Sequence, residues 1–305
     1  MKSVTSRMKR WCGLGLPSAM CLSLLAYVSC SEAPKGGKGK EVEASVEDEV
    51  VDVLYVTHEP GRYHDYTFQR SVFTQLAEAK GWNLKVMSGT HDEVEQELAS
   101  NKTFGEGVDV IVYNMCMAHC ANPEVPYNIM QQTQKYEVPA VLVHCSLHSF
   151  WPTFKEKGEQ AVHPGDAHSK VHTRKDLLAE WKKNHPGEPF PAWPNFTGLA
   201  STAHSPQGHV ECSVIAKGHP TVKGLETFTT SKGEELYYNF INAEDSPAST
   251  SILKGSVDKG EAVVLWEHPY GKTKVVSFTL GHSSEEWNEE AFRKVLVNSV
   301  EYLAQ

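Results

Sequence analysis

The sequence predicts a flavodoxin-like α/β fold, a three-layer sandwich with a mainly parallel central sheet. Short β-branched runs recur with helical segments between them, as parallel strands joined by crossover helices require. The runs are nearly continuous in apolar residues, which marks strands covered on both faces. A chain of 305 residues, 40% hydrophobic and 10% aromatic, also supplies enough apolar material for one large core.

Val50–Thr57 (VVDVLYVT) is the first such run. Phe68–Lys80 follows with Val72, Phe73, Leu76 and Ala79 at helical spacing, and Gly81 stops it. Trp82–Met87 reads as a second strand, His91–Ala99 as an acidic helix and Val108–Tyr113 as a third strand. A turn leads to a helix at Tyr127–Gln134, and Ala140–His144 (AVLVH) is the fourth strand. The rhythm breaks over residues 155–192, which carry Lys, Glu, Pro, His and Trp without periodicity apart from one amphipathic piece, Lys175–Lys183. An insertion lying over the sheet is expected there, with His163, His168, His172 and His185 solvated. Strand-like runs resume at Val210–Ile215, Ala262–Trp266 and Lys274–Thr279. A final helix, Glu289–Leu303, sets Phe292, Val295, Leu296, Ser299, Tyr302 and Leu303 on one side.

Ahead of this domain, the basic start MKSVTSRMKR precedes an apolar stretch, Trp11–Val28, that ends at Ser29–Cys30. This is the pattern of an export signal over residues 1–29. Pro17 and the small and polar residues within it make a poor membrane-spanning helix. A small residue before Cys30, with leucines upstream, fits a lipoprotein cleavage site at which Cys30 carries lipid. Residues 30–49 lack apolar periodicity and are expected to be a flexible tether. The protein is therefore expected in the periplasm or at the cell surface, anchored to a membrane through that lipid. The formal charge is -9; without residues 1–29, 25 basic groups face 38 acidic ones. An acidic surface repels phosphate backbones, which argues against a nucleic-acid partner. Of seven cysteines, Cys116, Cys120, Cys145 and Cys212 belong to the domain, and whether Cys116 pairs with Cys120 is left open by their spacing.

Ligands of parallel sheets bind outside the carboxyl ends of the strands. His58 follows the first strand, with Gly61, His64 and Asp65 just beyond; Asn114 and Cys116 follow the third; His144, Cys145 and His148 end the fourth; Gly281 and His282 end the last. Imidazoles gathered on one edge suit proton transfer or metal binding. His144, His148, His204 and His282 are the candidate ligands for a divalent metal such as zinc, the spacing of His144 and His148 placing two imidazoles on one helix face. Cys145 is the rival candidate, as the nucleophile of an amidase or peptidase. It lies one residue past the elbow position, an offset expected to turn its sulfur away from the crevice.

The ordered set of motifs resembles the trehalose-utilisation (ThuA-like) family, within the class I glutamine amidotransferase-like superfamily. Gly61-x-x-His64–Asp65 is similar to its opening motif, and AVLVH to its central strand, where histidine takes the elbow that amidotransferases give to cysteine. WPNFTGLASTAH (193–204), Gly218–His219–Pro220–Thr221, Glu234–Glu235–Leu236–Tyr237, Trp266, Tyr270–Gly271–Lys272, Gly281–His282 and Trp287 follow in the family's order. Gly198–Leu199 stands where a Gly-Gly pair is usual, Glu234 where Asp is, and Thr273–Lys274 where Gly-Arg is. The resemblance spans about residues 50–305. It implies a carbohydrate or keto-sugar ligand, His144 as central base or metal ligand, and His282, Glu235 and Tyr237 as catalytic partners. His64, Asp65, His204 and Trp287 are then expected to bind substrate, and Trp151 and Trp193 to offer further stacking faces. A non-catalytic glycan-binding lipoprotein is the other outcome these residues allow.

Overall fold

The apolar runs form one sheet with helices on both faces. The structure, a computed structural model, describes residues 50–153, 174–241, 249–258 and 260–305. The expected signal, Cys30, the tether and the insertion histidines His163, His168 and His172 lie outside the described residues. In chain order the elements are β1 (Asp52–Val56), α1 (Tyr66–Lys80), β2 (Asn83–Met87), α2 (His91–Ser100), β3 (Val110–Tyr113), α3 (Glu124–Gln134) and β4 (Ala140–Val143). Then come α4 (Lys175–Asn184), α5 (Trp193–Thr197), β5 (Leu199–His204), β6 (Glu211–Val214), β7 (Phe228–Thr229), β8 (Tyr237–Ile241), β9 (Thr250–Val257), β10 (Gly260–Tyr270), β11 (Thr273–Phe278) and α6 (Glu290–Leu303).

The main sheet runs β2-β1-β3-β4-β11-β10-β9-β6-β7. Every neighbour pair from β2 to β11 is parallel, and every pair from β11 to β7 is antiparallel. A separate ribbon pairs β5 with β8. The parallel part matches the strands expected from sequence. The antiparallel wing brings β7 and β9, and the ribbon brings β5 and β8, none of which was anticipated. Their sequences explain why. LASTAH and TSILKGSV are rich in small and polar residues and so lack the apolar run that marks the parallel strands.

The alternation of strand side chains builds the sandwich. Val53 and Tyr55 of β1, Val110 and Val112 of β3, and Val141 and Val143 of β4 face one layer, where Val72 and Phe73 of α1 and Phe292, Val295 and Leu296 of α6 cover them. Leu54, Val56, Ile111, Tyr113, Ala140 and Leu142 face the other, against Val94 and Leu98 of α2, Val125 and Ile129 of α3, and Phe196 of α5. Each fully buried aliphatic or aromatic side chain stabilises the fold by about 1.5–3 kcal/mol. Tyr302, expected on the buried side of the last helix, is only half-buried. It lies at the edge of the stripe, where the ammonium of Lys274 sits 4.6 Å from its ring centre.

Candidate active site

A cavity of about 790 Å³ opens at the carboxyl ends of β1, β3, β4 and β11, lined by His64, Cys116, His148, His204, Glu235 and His282 among others. Two other concavities have similar volumes, about 830 and 860 Å³, around Gly218–Thr227 and Pro206–Glu211. Neither lies where parallel strands converge, and neither gathers buried imidazoles.

His144 is the centre of the site. The chain leaves β4 and enters a short 3-10 turn, His144–His148, with His144 at φ 45°, in the left-handed region that side chains other than glycine rarely occupy. Such strain, of order 1–3 kcal/mol, persists where surrounding contacts over-determine it. Here Nδ1–H donates to the carbonyl of Thr279 at the end of β11 (2.7 Å), which leaves Nε2 as an acceptor. Nε2 faces the Tyr237 hydroxyl at 3.0 Å and His282 Nδ1 at 3.2 Å. Burial, then the neighbouring imidazoles of His64 and His282, holds His144 well below the ordinary histidine value, so it is neutral at pH 7. The same causes, burial and then His282, lower His64 to about 4. Burial raises Tyr237 well above the usual phenol range, so it stays a hydrogen-bond donor.

His282 also meets Glu235, whose Oε2 lies 3.2 Å from His282 Nδ1 and 3.4 Å from His204 Nδ1. Burial pushes the Glu235 carboxyl up, but its bond to His282 and the charges of His282, His204 and His64 outweigh this and hold it below the usual carboxylate range. His64 packs edge-on against both His144 and His282, with ring centres 4.9 and 4.8 Å away, and its Nδ1 binds the His282 carbonyl at 3.2 Å. The turn that delivers it requires Gly61, since a Cβ there would meet the His64 carbonyl oxygen at 2.3 Å. His64, His204, Glu235, Tyr237 and His282 therefore line one crevice, as the sequence motifs implied, and His144 lies buried directly behind them, against His282 and Tyr237.

Several expectations are corrected. Asp65 caps α1, its Oδ1 accepting from the Phe68 N–H at 3.0 Å, and takes no place in the cavity wall. Trp287 is fully buried, donates Nε1–H to the Gly281 carbonyl (2.9 Å) and packs on Phe292, so it braces the core instead of presenting a stacking face. Trp193 is likewise buried and donates to the Ser146 carbonyl; of the three tryptophans only Trp151 lines the cavity. His148 does not join His144 on a helix face, because a 3-10 turn does not align residues four apart. Its ring stacks on Tyr237 at 3.7 Å and its Nε2 bonds Ser201 Oγ. Among the described residues, the group with ligand atoms close enough for a metal is instead His64, His144 and His282, all within 4.8 Å of one another. Cys145 does not turn away. It lines the cavity and its thiol donates to Cys116 Sγ at 2.9 Å. That bond, with burial, pushes Cys145 well above the usual thiol value, while accepting it lowers Cys116. Cys116 thus lies against Cys145 rather than Cys120.

Sequence reasoning passed over the residues that hold these groups in place. Glu234 is wholly buried and accepts from the backbone N–H groups of Gly281 (2.8 Å), His282 (3.3 Å) and Glu235 (3.0 Å). Gln69 donates to the Gly281 carbonyl and accepts from Asn114, which also reaches the Tyr55 hydroxyl. Gln207 contacts His282 Nε2 at 2.8 Å, and His58 and His91 complete the wall. Apart from His58 and Asn114, placed directly after strands, and Glu234, part of the family motif, these carried no local signal.

Burial, and then Glu286, raises the Glu234 carboxyl well above its ordinary value. Glu286 is itself raised by burial, while its Oε2 accepts from the Ser231 N–H. A carboxyl raised in the folded state contributes stability that is fully present below the unfolded value near about 4.3 and is lost as pH rises through the folded value. Glu286→Gln keeps the acceptor and removes the charge. It is expected to raise the melting temperature near about pH 8 and to make little difference near about pH 4. Thermal melts across that range check it, and a pH-independent gain would contradict the assignment.

Comparison with known proteins agrees with this architecture. Among solved structures, a ThuA-like protein from Parabacteroides merdae aligns with a TM-score of 0.57 at 14% identity, over 84% of this chain and 91% of its own. A ThuA-like protein from Bacteroides uniformis aligns with a TM-score of 0.56 at 14% identity, over 83% and 91%. A weaker likeness, TM-score 0.43 at 12% identity over 84% and 94%, is to the glutaminase domain of Trypanosoma brucei CTPS with bound acivicin. Curated proteins give no match. The sequence profile of ThuA, described as trehalose utilisation, matches residues 140–303. That span runs from the strand leading to the His144 elbow through the Glu234–Tyr237 segment and Gly281–His282 to the end of α6, more than half of the sequence, and the chain belongs to the ThuA family.

Proposed function

We propose that this protein is an exported enzyme that moves protons on a carbohydrate or keto-sugar derivative held in the histidine crevice. The observation that carries the proposal is the convergence of imidazoles, one carboxylate and one phenol at a single cavity. The proton next to a keto group is removable by a positioned base when a donor stands ready for the oxygen. Glu235 and His282 form the proton-accepting pair, His144 Nε2 the central acceptor, and the Tyr237 phenol the donor. His204 and Trp151 offer a polar and an apolar surface to a polyhydroxylated ring. Incubating the full chain with trehalose-derived and other keto-sugars in deuterated water tests this, since base-catalysed exchange at the carbon beside the carbonyl appears by NMR even when the overall reaction is unknown. Binding without exchange or product across the panel would instead make the protein a glycan-binding module.

The cysteine-hydrolase alternative gains little from a thiol bonded to Cys116. Cys145→Ala is expected to fold and keep most of its turnover, with stability lowered by about 1 kcal/mol. Complete inactivation of a folded Cys145→Ala variant would restore Cys145 as the nucleophile. The exported location rests on the basic, apolar and small-residue content of residues 1–30. Mass spectrometry of the native N-terminus is expected to find residues 1–29 removed and Cys30 lipidated; an intact Met1 in membrane-free fractions would refute both.

A further inference from the structure

We propose that His64, His144 and His282 bind one divalent cation of the zinc class, with the carbonyls of Thr279 and His282 and the side-chain amide of Gln207 holding the distal ring N–H groups. The inference rests on the reading of this crevice as the reaction centre, and concerns what occupies it; with the cation bound, the lone pairs of His144 Nε2 and His282 Nδ1 are engaged and Glu235 is the group left to accept the proton. Two imidazole nitrogens on a tetrahedral zinc, at about 2.0–2.1 Å from the metal, stand about 3.3 Å apart. His144 Nε2 and His282 Nδ1 are 3.2 Å apart, and the ligand atom of His64 lies within 4.8 Å of both. Closing the set requires the His64 ring to move toward the other two.

The outer contacts point the same way. A metal-ligating histidine almost always donates its second N–H to a carbonyl, carboxylate or water, which fixes the tautomer and aims the lone pair. His144 Nδ1 has the Thr279 carbonyl at 2.7 Å, and His64 Nδ1 has the His282 carbonyl at 3.2 Å. For His282 to ligate through Nδ1, its Nε2 must carry the proton and find an acceptor. Gln207 is the group at Nε2, 2.8 Å away, and its amide can present either nitrogen or oxygen because the two orientations are nearly equal in shape. Turning the amide makes Oε1 the acceptor. All three rings then have a satisfied outer nitrogen, and the inner nitrogens of His144 and His282 exchange their contacts with the Tyr237 hydroxyl and Glu235 for the cation.

Three nitrogen ligands leave a fourth position open, the arrangement of a catalytic rather than a structural zinc. Glu235 Oε2, 3.2 Å from His282 Nδ1, stands beside it. The thiols of Cys116 and Cys145 lie in the same cavity and are also soft-metal ligands, so the test must separate the two sets.

The full chain, stripped with a chelator and dialysed, is titrated with zinc sulfate by calorimetry and with cobalt chloride by visible absorption. One cation per chain is expected, with the d–d bands of a nitrogen and oxygen site and no thiolate charge-transfer band. His64→Ala, His144→Ala and His282→Ala should each weaken zinc binding at least about a hundredfold, and Gln207→Ala about ten- to a hundredfold. Gln207→Glu, which keeps an oxygen acceptor for Nε2–H, should restore the affinity. Gln207 is exposed, so its variants report on the site without endangering the fold. No uptake by the folded wild type, unchanged affinity in the histidine variants, or loss only in the Cys116→Ser/Cys145→Ser double variant would overturn the proposal. Uptake without carbohydrate exchange would sink the proposed function and leave the cation site standing; exchange in protein that takes up no metal would do the reverse.

Discussion

Replacing His144 by alanine is expected to lower turnover about a hundredfold to ten-thousandfold while leaving the protein folded. The size follows from what one side chain connects. Its Nε2 is the common neighbour of Tyr237 and His282, so its loss separates the phenol from the His282–Glu235 pair. Stability should also fall, because the Thr279 carbonyl loses the Nδ1–H donor in a buried position, a cost of about 1–3 kcal/mol. His144→Gly is the companion variant. Glycine adopts φ 45° without strain, so this change should recover part of the stability and none of the activity. Circular dichroism and thermal melts of both, beside deuterium exchange into keto-sugars, check the pair. Retention of most activity in either variant would remove His144 from the mechanism.

Most of the parallel half of the fold was legible because β1, β3 and β4 are buried on both faces. In DVLYV, VIVY and AVLV every residue after Asp52 is buried, so the apolar run and the strand coincide. The wing beyond β11 was not legible for the opposite reason. The edge strand β7 is two residues long, and β9 interrupts Ile252 and Leu253 with Lys254 and Gly255. Gly255 is required there because Val264, Val210 and Leu236 crowd the space a Cβ would take, and that crowding exists only after the wing has formed.

The site divides in the same way. His144 and His282 were found because position after a strand is a local property of the sequence. Glu234, Gln69 and Gln207 were not, since their partners lie 47, 212 and 75 residues away. Trp287 was misassigned because an indole suits a sugar face and a core equally well. What decides is the hydrogen bond from Nε1 to Gly281 and the contact with Phe292, both products of tertiary packing.

Gly281→Ala is expected to destabilise the fold by about 2–4 kcal/mol and to displace His282. Gly281 sits at φ 116°, a conformation an alanine rarely adopts. A Cβ there would lie 3.0 Å from the Phe292 ring and 3.3 Å from Trp287 Nε1. Both neighbours are fully buried, so neither side chain can swing aside without opening the core beneath α6. The backbone at this position is also tied on both sides, its N–H to Glu234 and its carbonyl to Gln69 and Trp287. Strain at residue 281 therefore passes to residue 282, whose own N–H shares the Glu234 carboxylate. Turnover should fall with stability, and more than stability alone explains, because the imidazole shifts relative to Glu235 and His144. Gly208→Ala is the control: its backbone N–H bonds the Glu234 carbonyl on the same rim, yet a Cβ there meets nothing within 4 Å. Melting curves and exchange rates for the two variants should diverge sharply. Equal tolerance of alanine at both positions would show that the Gly281 turn does not hold His282 in place.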